Sequence, residues 1–200
     1  MNDPRRDAGA QIFAGRLDGT GHDGGLIGRI SQGDEDAMAE FYRAHGRVVF
    51  GQVLLVTGER ALAEEIVQDT MLAVWRGASS FRGESSARSW VMAIARRQTR
   101  DRLRGHRLRL VDESHLTEQA GPGPGPEAMA LDRAELAEVR EAIRDLAPAH
   151  REVLGLVFGS GLSLAEVAGV LEIPIGTVKS RLSASRTALN QILEQRGQSR

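Results

Sequence analysis

The sequence predicts an all-α fold in two small helical domains joined by a flexible Pro/Gly linker, and three observations lead to this prediction. Between residues 26 and 103 there is no proline, and apolar residues recur every three to four positions, the period of an amphipathic helix. The segment GPGPGP at 121–126 interrupts this pattern, because proline lacks a backbone donor and disfavours helix before it. The helical period then returns near residue 136.

The composition excludes several classes of protein. The 200 residues are 41% hydrophobic and 26% charged, which is typical of a globular chain. The absence of cysteine excludes a disulfide framework, a thiolate zinc site and a cysteine nucleophile. No apolar run approaches the ~20 residues that span a bilayer, and no apolar signal segment opens the chain. We therefore expect a cytoplasmic protein without membrane insertion.

The first half predicts a tail followed by a helical domain. Residues 1–24 are rich in Gly, Asp and Arg without periodicity, so we expect a disordered tail there. Residues 25–105 form the predicted first domain, with a turn at 57–58 and a polar loop at 81–86. After this loop, a helix is predicted from Ala87 to about Arg104.

The second half predicts a linker and a further helical domain. We expect a linker over 106–127 and the second domain over 128–200. Pro148 suits the first turn of a helix, where its missing N–H costs nothing. That helix should end near Gly159 or Gly161, because glycine favours helix ends.

The sharpest local signal is a helix-turn-helix pattern. Ser163 and Glu166 have the spacing of a capping box, in which each side chain satisfies a backbone N–H of the other. This box predicts a short helix from Leu164 to about Leu171. A tight break at 172–176 follows, and a longer basic helix is predicted from Thr177.

The two faces of this last helix differ in chemistry. At about 100° per residue, one face is mostly apolar, with Val178, Leu182, Ser185, Leu189 and Ile192. The opposite face and its rim carry hydroxyls and cations: Thr177, Lys179, Ser180, Arg181, Ser183 and Arg186. An ordinary amphipathic helix would carry acids on its solvent face, yet none occurs from 175 to 191. This pattern favours binding in a DNA major groove.

The net charge of −1 averages over segments of opposite sign. Residues 96–109 hold seven arginines against one acid, and residues 175–200 are also basic. Two basic blocks suggest two contacts with a polyanion, although solvated helix faces are the plain alternative. Trp90 shares a side with Arg97 and Arg100, which suits stacking on unpaired bases. A core role for Trp90 stays open from this pattern alone.

Residues 61–104 and 163–190 together resemble one family. ALAEEIVQDTMLAVWRG, SFRGESSARSWVMAIARRQTRDRLR and LSLAEVAGVLEIPIGTVKSRLSASRTAL resemble the extracytoplasmic-function (ECF) sigma factors of bacterial RNA polymerase. The resemblance implies an alternative sigma factor with a sigma-2 and a sigma-4 domain, which directs polymerase to a promoter class and nucleates melting. It also implies three partners: core RNA polymerase through its clamp coiled coil and flap, promoter DNA, and an anti-sigma factor.

The resemblance assigns roles position by position. The residues implied in contacting core polymerase are Glu65, Gln68, Asp69 and Trp75. The residues implied in binding the minus-10 element are Arg82, Ser86, Arg88, Trp90, Arg96, Arg97 and Arg100. The residues implied in binding the minus-35 element lie on the recognition helix and are Thr177, Lys179, Ser180, Arg181, Ser183 and Arg186.

Two other classes of function fit the sequence less well. A helix-turn-helix regulator that binds duplex DNA without polymerase is the alternative, since such proteins share a GTVKSRL-like helix, but the first half lacks the strand pattern of a receiver domain. An enzyme is not expected, because the five histidines have no metal-ligand spacing and no nucleophile elbow or P-loop is present. We expect no catalytic residue, no metal and no cofactor.

Overall fold

The computed structural model describes residues 20–110 and 139–198, and the regular structure within these ranges is helical, which confirms the predicted class. The first domain contains α1 (Thr20–Ile30), α2 (Glu35–Thr57), α3 (Arg60–Gly77), a 3₁₀ turn (Ala78–Ser80) and α4 (Ala87–Leu110). The second contains α5 (139–144), α6 (Pro148–Leu154), a π-helical turn (Gly155–Gly159), α7 (Leu164–Leu171) and α8 (Ile175–Gln198). Within these ranges, no helix is both long and apolar enough to cross a bilayer.

The ends of α2 follow from two local residues. The Asp34 carboxylate accepts a hydrogen bond from the Ala37 N–H at 2.9 Å, and this caps the N-terminus. Gly58 has a φ of 75°, which glycine adopts without steric cost, and its N–H donates to the Leu54 carbonyl. The turn predicted at 57–58 is therefore confirmed.

The predicted helix-turn-helix is also confirmed. The Glu166 N–H donates to Ser163 Oγ, and the Ser163 N–H donates to the Glu166 carboxylate, so both halves of the capping box are formed. The short helix has the predicted bounds, whereas α8 begins at Ile175, two residues before the predicted start. Pro148 occupies the first turn of α6 as predicted.

Two predicted boundaries need correction. The tail was expected to reach residue 24, but α1 begins at Thr20, and Asp23 in its first turn lies 3.2 Å from the buried His45 imidazole. This tertiary contact favours helix in a segment whose sequence shows no periodicity. The third long helix continues to Leu110, so it includes the first five residues, 106–110, of the expected linker. Residues 1–19 and the rest of the linker lie outside the described residues.

The two domains share one continuous apolar core. In the first domain it includes Ile27, Phe41, Val49, Ile66, Val74, Val91 and Met92. In the second it includes Val153, Leu156, Val167, Leu171 and Val178. Helix α4 packs against α7, and α2 packs against α6 and the π-helical turn. The second domain thus lies directly on the first.

The π-helical turn fits closely against α2. A Cβ placed on Gly155 would overlap the side-chain amide of Gln52, so the absence of a side chain permits this approach. The Gln52 amide donates to the Glu152 carbonyl at 3.2 Å. Gly161, one of the two predicted helix ends, has a φ of 66° and lies just beyond this turn.

Candidate nucleic-acid and polymerase interfaces

The recognition helix α8 is oriented by its inner face. Val178 and Ser185 are fully buried, and Leu182 is partly buried against the core. The Ser185 hydroxyl donates to the Arg181 carbonyl at 2.6 Å, so this buried polar group is satisfied within the helix. The apolar face predicted from the sequence is therefore the face that α8 turns inward.

The opposite face of α8 is open to solvent. Lys179, Ser180, Ser183 and Arg186 are exposed, while Thr177 and Arg181 are partly buried. The Ser180 hydroxyl donates to the carbonyl of Thr177 at 3.0 Å, which holds it close to the helix. The result is a surface of short hydroxyls rimmed by long cations, a shape that permits close approach to a major groove.

One contact beside this surface was not predicted. The Arg186 guanidinium carbon lies 5.6 Å from the centroid of the Phe158 ring, within the range of a cation–π interaction. Phe158 is 44% exposed at the edge of the π-helical turn. In the sequence, Phe158 ends an apolar run, and this position predicts that its side chain is buried rather than exposed.

The residues implied in minus-10 binding fall into two groups. Arg82, Arg97 and Arg100 are exposed on the first domain. Ser86, Arg88 and Arg96 instead bond to residues of the second domain, through Glu166, Ser160 and Glu152 respectively. Of these six residues, the structure therefore leaves three exposed and places three in the contact between the domains.

Trp90 lies beside the polar loop at 81–86. Its ring packs on Phe81, with centroids 5.1 Å apart and planes tilted by 54°, and it is partly buried. The loop turns through Gly83, which has a φ of 73°. Ser86 then accepts the Ser89 N–H on its hydroxyl oxygen at 3.1 Å and so starts α4. Trp90 therefore packs against the domain core and is only partly buried there.

The residues implied in polymerase binding also divide. Glu65 and Asp69 both receive hydrogen bonds from Arg102 of α4, at 3.0 Å for Glu65, so they tie α3 to α4. Gln68 and Trp75 lie along a groove between α3 and α2 instead. The four residues do not form one cluster, although all belong to α3.

The groove between α2 and α3 is broad and mostly apolar. It has a volume of about 900 Å³ and is lined by Met38, Tyr42, Leu72 and Trp75 among others. Tyr42 is 50% exposed and Leu72 is 51% exposed. Exposed apolar side chains that adjoin one another mark protein-binding surfaces. Sequence reasoning did not single out Met38, Tyr42 or Leu72 as functional, and only the exposed position of Leu72 opposite the buried stripe of α3 would have suggested it.

The structure offers no metal centre within the described ranges, where no group of three or more His, Asp and Glu side chains has suitable geometry. Burial acts to raise the pKa of Glu166, but hydrogen bonds from Ser86 and Ser163 together lower it below the ordinary value of 4.5. Glu166 is therefore a carboxylate at neutral pH. The negative charge of Glu166 lies at the contact between the two domains, where the carboxylate accepts the Ser86 hydroxyl.

The second domain contains a basic helix-turn-helix and packs on the first domain, which has exposed arginines of its own. This combination is typical of a two-domain DNA-binding protein that acts in transcription. The family model for sigma-70 region 2 matches residues 41–109, and that for sigma-70 region 4 matches residues 136–189. The chain is similar to the ECF RNA polymerase sigma factor SigL of Mycobacterium tuberculosis, with 35% identity over 82% of this chain and 92% of that protein.

Two further relatives and two solved structures agree with these matches. SigK of Mycobacterium bovis is 30% identical over 84% of this chain and 92% of its own length, and NccH of Alcaligenes xylosoxydans is 28% identical over 86% and 95%. The sigma factor RpoE of Bartonella quintana, solved with the anti-sigma factor NepR, has a TM-score of 0.67 at 25% identity, covering 78% of this chain and 97% of that one. CnrH, solved with the cytosolic domain of CnrY, has a TM-score of 0.65 at 23% identity over 86% and 97%. The chain belongs to the ECF sigma factors.

Proposed function

We propose that this alternative sigma factor reads the minus-35 element through the exposed face of α8. The observation that carries the proposal is the orientation of that helix: its apolar face is buried while Lys179, Ser180, Ser183 and Arg186 point to solvent. Cations at the rim bind phosphates and base edges, and the small hydroxyls between them allow the helix to enter the groove. Family membership disfavours the alternative of a regulator that acts without polymerase.

The minus-10 element is proposed to bind the first domain along α4 and the preceding loop. Arg97 and Arg100 are exposed on α4, and Arg82 is exposed in the loop, so three cations are available to phosphates. Trp90 is partly buried beside that loop, and its exposed part could stack on an unpaired base. In this proposal, capture of bases at the loop nucleates strand opening, and the polymerase performs the chemistry. The chain itself needs no catalytic residue.

Core polymerase is proposed to dock on α3, with its clamp coiled coil in the groove between α2 and α3. A helix of such a partner can lie in a groove of this kind, where its side chains would contact the exposed Tyr42 and Leu72 beside Gln68. Arg102 fixes the carboxylates of Glu65 and Asp69 at the other side of α3. The flap is proposed to contact the second domain.

We also propose that an anti-sigma factor regulates the chain. The RpoE structure, whose fold covers 78% of this chain, contains such a partner. A protein that acts on polymerase and promoter DNA works in the bacterial cytoplasm, and this is the location that we propose.

The docking groove can be tested by measuring association of the full chain with core polymerase. Leu72→Ser should weaken binding about four- to twelvefold, because fully burying a leucine contributes ~1.5–3 kcal/mol and about half of this side chain is exposed before binding. Ala61→Ser changes an exposed position of the same helix that lies outside the groove, and it should bind like the wild type. Equal affinity of both variants would exclude the groove as the docking site.

The minus-35 surface can be tested on promoter DNA with the assembled holoenzyme. Lys179→Ala and Ser183→Asp should each reduce binding to a promoter fragment, while Asn190→Ala, exposed farther along α8, should not. Removing one good base contact costs ~1–3 kcal/mol, or about tenfold in affinity. Unchanged promoter binding by both variants would contradict the assignment.

A further inference from the structure

Phe158 is an aromatic side chain that the fold leaves on the surface of the second domain. It is 44% exposed, whereas Leu156 in the same turn is only 1% exposed. The turn is closed by a hydrogen bond from the Ser160 N–H to the Gly155 carbonyl at 2.8 Å, the spacing of a π-helix. This ring is one residue longer than that of an α-helix, so the side chains at the end of the turn change direction. Phe158 therefore lies outside the core.

The exposed ring lies against one cation of the recognition helix. The Arg186 guanidinium carbon is 5.6 Å from the centroid of the Phe158 ring, within the range of a cation–π contact. Within the part of the chain that the structure describes, Arg186 forms no ion pair and no side-chain hydrogen bond. Arg196, farther along α8, is instead paired with Asp145 at 2.6 Å. The charge of Arg186 is therefore held by a ring and is not neutralised.

Arg186 lies on a flank of α8 and not on its outermost line. At about 100° per residue, Arg186 is about 80° from the buried Val178, and the exposed Ser183 is about 140° from it. A helix in a major groove turns its outermost residues toward the base pairs and its flanks toward the phosphate backbones at the groove edges. Arg186 is therefore placed to reach a phosphate, whereas Ser183 is placed to reach the bases.

We propose that Phe158 is a positioning residue for the minus-35 element, which holds the Arg186 side chain at the flank of α8 for a contact with a DNA phosphate. The proposal rests on the minus-35 role proposed above for α8, and it divides the work of that face. Arg186 contributes affinity and fixes the position of the helix on the promoter. Ser183, on the outermost line, contributes to the choice of bases.

An aromatic ring suits this role because it restricts the arginine without cancelling its charge. The face of the ring attracts the cation, and the N–H donors of the guanidinium stay available to phosphate oxygens. A carboxylate in the place of Phe158 would compete with the phosphate for those donors. A long side chain loses rotamer freedom when it binds, so holding Arg186 before the DNA arrives reduces the entropy lost on binding.

The positioning role can be tested by a double-mutant cycle on holoenzyme bound to a promoter fragment. Phe158→Leu should weaken binding about two- to fivefold, the range of an exposed cation–π contact, and Phe158→Tyr, which keeps the ring, should bind like the wild type. In a chain that already carries Arg186→Ala, Phe158→Leu should have no further effect, because the ring acts only through Arg186. Equal losses with and without Arg186 would overturn the proposal.

Salt dependence and sequence preference distinguish a phosphate contact from a base contact. Arg186→Ala should reduce the slope of log affinity against log salt by about one and weaken binding to all minus-35 sequences of a promoter library by the same factor. Arg196→Ala removes the same charge from the same helix, where Asp145 already neutralises it, and should leave the slope unchanged. If Arg186→Ala changes the preferred base at one position, Arg186 reads that base and the proposal is wrong.

An exposed phenylalanine can also bind another protein, so association with core polymerase is measured for the same variants. Phe158→Leu should associate with core polymerase as the wild type does, and a loss at this step would assign Phe158 to a polymerase contact and overturn the positioning role. Failure of the minus-35 assignment itself gives a different result, because Lys179→Ala and Ser183→Asp would then also leave promoter binding unchanged. If those two variants weaken binding and Phe158→Leu does not, only the role of Phe158 is excluded.

Discussion

His45 of α2 is a buried histidine whose environment makes stability depend on pH. Its side chain is 2% exposed, and the Phe41 ring lies 4.4 Å away between centroids. Asp23 Oδ2 is 3.2 Å from Nε2, yet neither ring nitrogen makes a hydrogen bond within the described residues. Burial lowers the pKa of His45 below 6.5, Arg88 acts in the same direction, and Asp23 opposes them without reversing the shift.

The sign of the pH dependence follows from this lowered pKa. Below pH 6.5 the unfolded chain takes up a proton at His45 that the folded chain does not, so acidification favours unfolding. The contribution is fully present above 6.5 and is lost as the pH falls from 6.5 toward the folded pKa. Within that window the free energy of unfolding should drop by up to about 1.4 kcal/mol per pH unit.

Urea unfolding across about pH 5 to 8, where histidine titrates, measures this slope. His45→Leu should remove the part of the slope that belongs to this residue. Should the leucine variant fail to fold, Asp23→Asn provides the test. It removes the charge that favours protonation, so the loss of stability should continue to lower pH. An identical slope in wild type and His45→Leu would refute the reasoning.

Three further predictions concern the second domain. Ser163→Ala should lower the free energy of unfolding by about 1 kcal/mol through loss of the helix cap, whereas Ser163→Thr should be near neutral; equal urea midpoints would contradict this. Phe158→Leu should weaken holoenzyme binding to its promoter about two- to fivefold by releasing Arg186, and Phe158→Tyr should restore it, since exposed cation–π pairs contribute ~0.5–1 kcal/mol. Gly155→Ala should force Gln52 aside and lower the free energy of unfolding by about 1–3 kcal/mol, and an unchanged urea midpoint would show that the contact relaxes.

The helix-turn-helix could be predicted because its determinants are local. The capping box lies within four consecutive residues, from Ser163 to Glu166, and the inward face of α8 follows from the helical period alone. The helical class and the family membership also followed from patterns within short segments. In each case the interacting residues are close in sequence, so the pattern contains the interaction.

The contact between the domains could not be predicted for the opposite reason. Arg96 stands in a run of arginines that indicates DNA binding, and nothing nearby shows that Glu152 neutralises it from 56 residues away. The start of α1 was missed likewise, because Asp23 is fixed by a histidine of another helix. Residues whose partners are distant in sequence carry no local signal of those partners.

Run-off transcription with core polymerase over a promoter library measures directly whether this chain directs initiation. Initiation should require both core polymerase and this chain, at promoters that share one minus-35 and one minus-10 sequence. Arg181→Ala should reduce transcription by weakening recognition of the minus-35 element, and Arg97→Ala should reduce strand opening. No initiation dependent on the chain, with any anti-sigma factor absent, would contradict the account.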